Sequence, residues 1–189
     1  MAAIGTSAFY GGGLTSIVIP ESVTAIGESA FMGCKDLISI TIPESVTTIG
    51  TSAFQYCSSL TSITIPKSIT SIEDGVFDGC SGLTSVTIPE SVTSIGEFTF
   101  ANCDSLFSVT VPKSITSIGA YAFSGCVGLT SIAIPENVTT IEMSTFASCS
   151  GLTSVTIPDS VISIGWGAFQ QCASLTSITI PKNMQEIAS

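Results

Sequence analysis

The sequence holds no histidine and no arginine, and only 10% of its 189 residues are charged. Without imidazole there is no ordinary base near neutral pH, no Ser-His-Asp or Cys-His nucleophile arrangement, and no nitrogen ligand to complete a zinc set. Glycine-rich phosphate loops of recognised spacing are also missing. Four lysines face fourteen acidic residues, a net charge of -10, so phosphate backbones and anionic membrane surfaces repel the chain and nucleic acid is excluded as a partner. Ser, Thr or Pro interrupts every apolar run well short of the roughly 18 residues a membrane span needs, and membrane insertion is not expected. Met1 to Ala8 has neither the basic start nor the long apolar segment of a secretory signal. Catalysis, cofactor binding and metal binding therefore have little to work with.

What is present is repetition. Hydrophobic residues make up 44% of the chain and are spread evenly, which points to extensive burial. The eight prolines lie 23 residues apart, from Pro20 to Pro181, and the seven cysteines keep the same spacing, from Cys34 to Cys172. The shared unit reads L-T-S-I-T-I-P-x-S-V-T-S-I-G-x-x-A-F-x-x-C-x-x. It starts at Leu14, Leu37, Leu60, Leu83, Leu106, Leu129, Leu152 and Leu175, after a partial copy over 1–13 that lacks the cysteine. Residues 1–189 read as a single repeat domain. Gly5-Thr6-Ser7-Ala8-Phe9 matches Gly50-Thr51-Ser52-Ala53-Phe54, so the chain starts inside a repeat and is expected to be a fragment of a longer protein. No polar capping repeat is visible, and self-association through uncapped ends is expected.

Within each unit, L-x-x-I-x-I has the period of a strand: Leu60, Ile63 and Ile65 should point inward, Ser62 and Thr64 outward. Proline follows and cannot donate to a ladder, so a turn is expected there. Val46 to Ile49 and its equivalents form a second short extended segment, and the glycine after it is read as permitting a bend. The A-F-x-x-C segment is compact enough for a helical or 3-10 turn that drops Phe and Cys into the core. So small a unit buries its apolar side only by stacking on its neighbours, and eight strands about 4.8 Å apart give a parallel sheet on the order of 38 Å long. The expected fold is a curved solenoid with one strand of that sheet per repeat, and short second strands and turns on the other side.

The pattern Leu37-x-x-Ile40-x-Ile42-Pro43-x-x-Val46-x-x-Ile49-Gly50-x-x-Ala53-Phe54-x-x-Cys57 resembles the BspA-like leucine-rich repeat family, and the resemblance covers essentially the whole chain. It implies a leucine-rich-repeat solenoid and a non-enzymatic role. It also implies a cell-surface or secreted location and binding of host or extracellular-matrix proteins.

Residues that obey the repeat are explained by it. Cys34, Cys57, Cys80, Cys103, Cys126, Cys149 and Cys172, with Phe31, Phe54, Phe77, Phe100, Phe123, Phe146 and Phe169, are read as core, the cysteines as small buried hydrophobes. Disulfides between coils are the rival reading, though parallel side chains rarely meet the torsion and seven is odd. In the column after proline, Lys67 and Lys113 each fall between acidic neighbours, an alternation that favours correct register. Glu73, Asp74, Asp78 and Glu97 read as a hydrated acidic patch, with a bridging cation as the rival reading.

Binding is sought where a column breaks the pattern. Phe107 stands where Thr is usual. Phe98 should stack one coil from Tyr121, beside a column running Ala120, Met143, Trp166, and large apolar groups on a Ser/Thr surface are candidate protein anchors. Gap-filling in a turn is the alternative role. The second candidate is the outward strand face, represented by Ser62, Thr64, Ser85, Thr87, Ser108 and Thr110, a hydroxyl array suited to protein or glycan. A structural or engineered scaffold with no dedicated ligand remains the alternative to both. Asn137-Val138-Thr139 is a glycosylation sequon, meaningful in a protein secreted by a eukaryote.

Overall fold

The computed structural model describes residues 2–188. The L-x-x-I-x-I segments form a row of three-residue strands: β2 (Ser16–Val18), β4 (Ser39–Thr41), β6 (Ser62–Thr64), β8 (Ser85–Thr87), β10 (Ser108–Thr110), β12 (Ser131–Ala133) and β14 (Ser154–Thr156). Second strands start with β1 (Ala2–Ile4), β3 (Val23–Ile26) and β5 (Thr48–Ile49). They continue through β7 (Ser71–Ile72), β9 (Ser94–Ile95), β11 (Ser117–Ile118), β13 (Thr140–Ile141), β15 (Ser163–Ile164) and β16 (Glu186–Ile187). Pairing is parallel and steps by one repeat, with Ser62 opposite Ser85 and Ser85 opposite Ser108. The chain is thus a parallel solenoid of about eight turns. Among the described residues no helix is long and apolar enough to cross a membrane.

Alternation sorts the side chains as the sequence predicts: Leu60, Ile63 and Ile65 are buried, Ser62 and Thr64 exposed. Each of the eight prolines opens a turn closed by a hydrogen bond from the amide three residues on to the proline carbonyl, as from Val46 to Pro43 at 3.0 Å and Ile115 to Pro112 at 3.2 Å. Proline suits this position because the turn uses only its carbonyl, while its missing N–H ends the strand.

The third side is a run of tight turns. Bonds of the i+3→i kind occur, as Ala53 to Gly50 and Cys57 to Phe54, but intervening amides donate to the next coil, as Phe54 to Val76 and Tyr56 to Asp78. Two positions per coil have positive φ, such as Ser52 (56°) and Tyr56 (59°), so no helix propagates. The core is a stack of eight phenylalanines from Phe9 to Phe169, neighbouring ring centroids 5.2 to 5.8 Å apart and nearly parallel. Phe31 through Phe146 are fully buried, whereas Phe169 is half-buried because the eighth unit stops before its own Phe turn.

The glycine ending each second strand has a different role from the one its sequence suggests. Gly50, Gly96, Gly119 and Gly165 do not have positive φ. A Cβ at these positions would stand 2.5 to 2.6 Å from atoms of the preceding coil, such as Glu97 N opposite Gly119. They are required by close approach, and each donates its amide across the coils, as Gly119 to Ile95. Two coils carry glutamate there instead, Glu73 and Glu142. At those two boundaries the second ladder is interrupted: β5 is not paired with β7, nor β11 with β13. The main sheet responds too, with β10 and β12 in separate sheets and β4–β6 reduced to Ser39 opposite Ser62. The turn side stays joined across both boundaries, by Ser52 to Asp74 and Phe123 to Thr145, so these coils part on their strand sides only.

The expected charge alternation forms few pairs. Among the described residues one ion pair is formed, Lys182 to Asp159 at 2.9 Å. Lys67 instead gives its backbone amide to Glu44 at 2.9 Å, and Lys113 makes no ion pair. Long exposed side chains gain too little from pairing in water to be held in one geometry.

Candidate binding surface

The cysteines are buried and free, but they are more than apolar filler. Every thiol donates to the carbonyl of the phenylalanine in the preceding coil, from Cys34 to Phe9 at 3.0 Å through Cys103 to Phe77 at 3.3 Å to Cys172 to Phe146 at 3.1 Å. In most coils that carbonyl already accepts the cysteine amide of its own coil, as Phe54 accepts from Cys57; Phe9 accepts the Gly12 amide instead. The thiol satisfies its second lone pair in a place water cannot reach. Burial pushes the thiols up, Cys57 and Cys149 to about 12, with the neighbouring cysteine adding to the effect. Thiolate chemistry is thereby suppressed. The sequence signal for this role was the use of cysteine in every complete coil, where alanine or valine would fill space equally well.

Asp74 is exposed and reaches along the stack, its Oδ1 accepting the amide of Glu97 at 2.7 Å. Asp78 is buried and receives Gln55 Nε2 and Asn102 Nδ2 at 2.8 and 2.9 Å. No group of three or more His, Cys, Asp or Glu side chains among the described residues is arranged to hold a metal ion. Asn137 of the sequon is exposed, its amide donating to the carbonyl of Lys113 at 2.7 Å.

The pattern-breaking aromatics separate into two places. Phe107 is 61% exposed on the column that leads into the main sheet, its amide tied to Thr84. Phe98 and Tyr121 sit at the corner after the second strand, rings stacked at 4.6 Å and within 4° of parallel. Met143 and Trp166, both exposed, extend this corner through the bonds Tyr121 to Met143 and Ser144 to Trp166. Phe98 and Tyr121 occupy one of the positive-φ columns, at 54° and 58°. The other coils place Ser7, Ser29, Ser52, Gly75, Ser144 and Gly167 there. A bulky side chain in left-handed backbone is strained, so gap-filling alone does not account for this pair, in which Phe98 is exposed and Tyr121 half-buried. Sequence columns found the pair; the strain beneath it is visible only in the backbone angles.

The hydroxyl face is as regular as its sequence: Ser62, Ser85 and Ser108 lie in register, as do Thr64, Thr87 and Thr110, all exposed.

The model of the BspA-type leucine-rich repeat region, in six copies, matches residues 2–126 and 72–189. The chain belongs to the BspA-type leucine-rich repeat family. Among solved structures, the T. pallidum leucine-rich repeat protein is 30% identical at a TM-score of 0.82, covering 92% of this chain and 82% of that one. A leucine-rich repeat protein from Bacteroides ovatus is 28% identical at a TM-score of 0.65, covering 99% and 66%. A search of curated proteins finds no match. BspA-type repeats are generally binding or adhesion modules, which directs attention to the surfaces above.

Proposed function

We propose that this chain is a non-enzymatic binding module of a cell-surface or secreted protein, docking on a host or extracellular-matrix protein through the Phe98–Tyr121–Met143–Trp166 corner. The observation that carries the reading is the stacked aromatic pair, Phe98 exposed and Tyr121 half-buried, held in left-handed backbone where the other coils use Ser or Gly. Aromatic anchors give large contact area for little lost rotamer freedom, and they dominate binding hot spots. The lack of histidine, the inert thiols and the absence of a grouped metal-ligand set among the described residues all support a surface role over a chemical one.

The test is surface plasmon resonance against immobilised fibronectin, fibrinogen, laminin and collagen, comparing the chain with a Phe98→Ser/Tyr121→Ser/Trp166→Ala variant whose circular dichroism is unchanged. Binding by the chain and its loss in the variant support the corner. Binding that survives there but is lost in Thr64→Val/Thr87→Val/Thr110→Val transfers the site to the hydroxyl face. If no surface retains either protein, the adhesion reading fails.

A further inference from the structure

Next to the aromatic pair in the chain, the surface dips into a trough of about 290 Å³ whose lining includes Gly96 and Gly119 and the acidic residues Asp74, Glu97 and Glu142. Glu97 and Ala120, both in its lining, are followed directly in the chain by Phe98 and Tyr121. Glu142 also marks the boundary where β11 and β13 fail to pair, so the trough lies along an opened strand edge with unused backbone groups. No lysine lines it, and among the described residues none of its three carboxylates forms an ion pair.

We infer that this corner selects a basic protein segment, one that presents an arginine or lysine next to an apolar residue. The inference rests on the protein-binding reading above and names its partner class. Three features converge. A guanidinium inserted in the trough meets carboxylates that have no cation of their own, and open carbonyls along β11. The adjacent rings accept the apolar neighbour on one side and offer a π-face to the cation on the other. The chain's charge of -10 attracts such a segment from a distance and repels acidic competitors. An anionic glycan or a phosphorylated peptide meets the opposite field.

The experiment uses fluorescence anisotropy with a labelled peptide alternating arginine and leucine, and its lysine, glutamine and glutamate counterparts, in low and moderate salt. The arginine and lysine peptides should bind, the glutamine and glutamate peptides at least about tenfold more weakly. Phe98→Ser/Tyr121→Ser, which installs the residue other coils carry, should abolish binding. Glu97→Gln/Glu142→Gln should weaken it about tenfold. Glu21→Gln/Glu90→Gln removes the same charge from the proline turns and should leave it within about twofold. Equal weakening by that distant pair would reduce the effect to general charge attraction and overturn the inference. No binding of the basic peptides also overturns it. A glutamine peptide that binds as well as the arginine one, with loss in Phe98→Ser/Tyr121→Ser, overturns the basic partner while leaving the protein-binding reading intact.

Discussion

Raising the pH should unfold this protein well before its backbone chemistry requires it. Five interior thiols, Cys57, Cys80, Cys103, Cys126 and Cys149, hold their protons above the ordinary value of 9.0, burial being the main cause; Cys57 and Cys149 reach about 12. In the unfolded chain the same thiols ionise near 9. Their contribution to stability is therefore complete below pH 9 and is lost as pH climbs towards the folded values. At pH 10 the unfolded state gains about 1.4 kcal/mol per thiol that remains protonated in the fold, and five such thiols set an upper bound of about 7 kcal/mol. Domains are stable by roughly 5–15 kcal/mol, so this loss is comparable to the whole. Deprotonation in the fold is no escape, because it removes the donor to the phenylalanine carbonyl and leaves a charge in the core. Urea unfolding followed by circular dichroism at pH 8, 9 and 10, under reducing conditions, should show the midpoint falling steeply. A Cys80→Ser/Cys103→Ser/Cys126→Ser variant keeps a hydroxyl donor but no group that titrates here. It should start less stable and lose about 4 kcal/mol less between pH 8 and 10. Tyrosines and lysines are common to both proteins and cancel. Parallel pH profiles for the two would refute the thiol ladder as the cause.

Phe100→Ala, in the middle of the ring stack, should cost about 3–5 kcal/mol, whereas Phe98→Ser should stay within about 1 kcal/mol because relief of backbone strain offsets the lost ring contact; thermal melts of the two variants check the contrast. Glu142→Gly should let the residue-142 amide pair with the Ile118 carbonyl, stabilising by about 0.5–1.5 kcal/mol and slowing hydrogen exchange at that amide. The reverse change, Gly119→Ala, should lower stability by about 1–3 kcal/mol by forcing a methyl against Glu97 N. Unchanged exchange at residue 142 would detach the interrupted ladder from the glutamate.

How much of this was legible depended on whether a residue obeyed the repeat. The inward Leu, Ile and Val, the Pro turns and the Phe core follow from period-two alternation and stacking, because a 23-residue unit has one way to bury that pattern. Glycine 50 and its equivalents show the limit: a sequence shows that a side chain is missing but not whether backbone angle or a neighbouring coil excludes it, and here it is the neighbour. The cysteine role was hidden for a similar reason. Burial is written in spacing, but a hydrogen bond to a carbonyl 26 residues earlier, as from Cys80 to Phe54, needs the coils in place. Likewise, the column of alternating charges looked like a ladder of ion pairs, and solvent dissolves most of it.

Of the departures from the repeat, Glu142, Phe98 and Tyr121 lie together, while Phe107 and Glu73 stand apart from them. Glu142, Phe98 and Tyr121 break two different constraints: the glutamate breaks the close approach between coils, and the aromatics break the preference for Ser or Gly at left-handed backbone. Each has a cost in stability, yet all three border one corner of coils four to six. Glu73 supplies the internal comparison. It interrupts the second ladder in the same way, but the neighbouring positive-φ positions hold Ser52 and Gly75, with no aromatic ring beside the opened edge. If interruption alone made a binding site, the two corners would behave alike. The corner at Glu142 differs by its rings, which is why exchanging Phe98 and Tyr121 for serine separates binding from the opened ladder, and exchanging Glu142 for glycine separates it in the other direction.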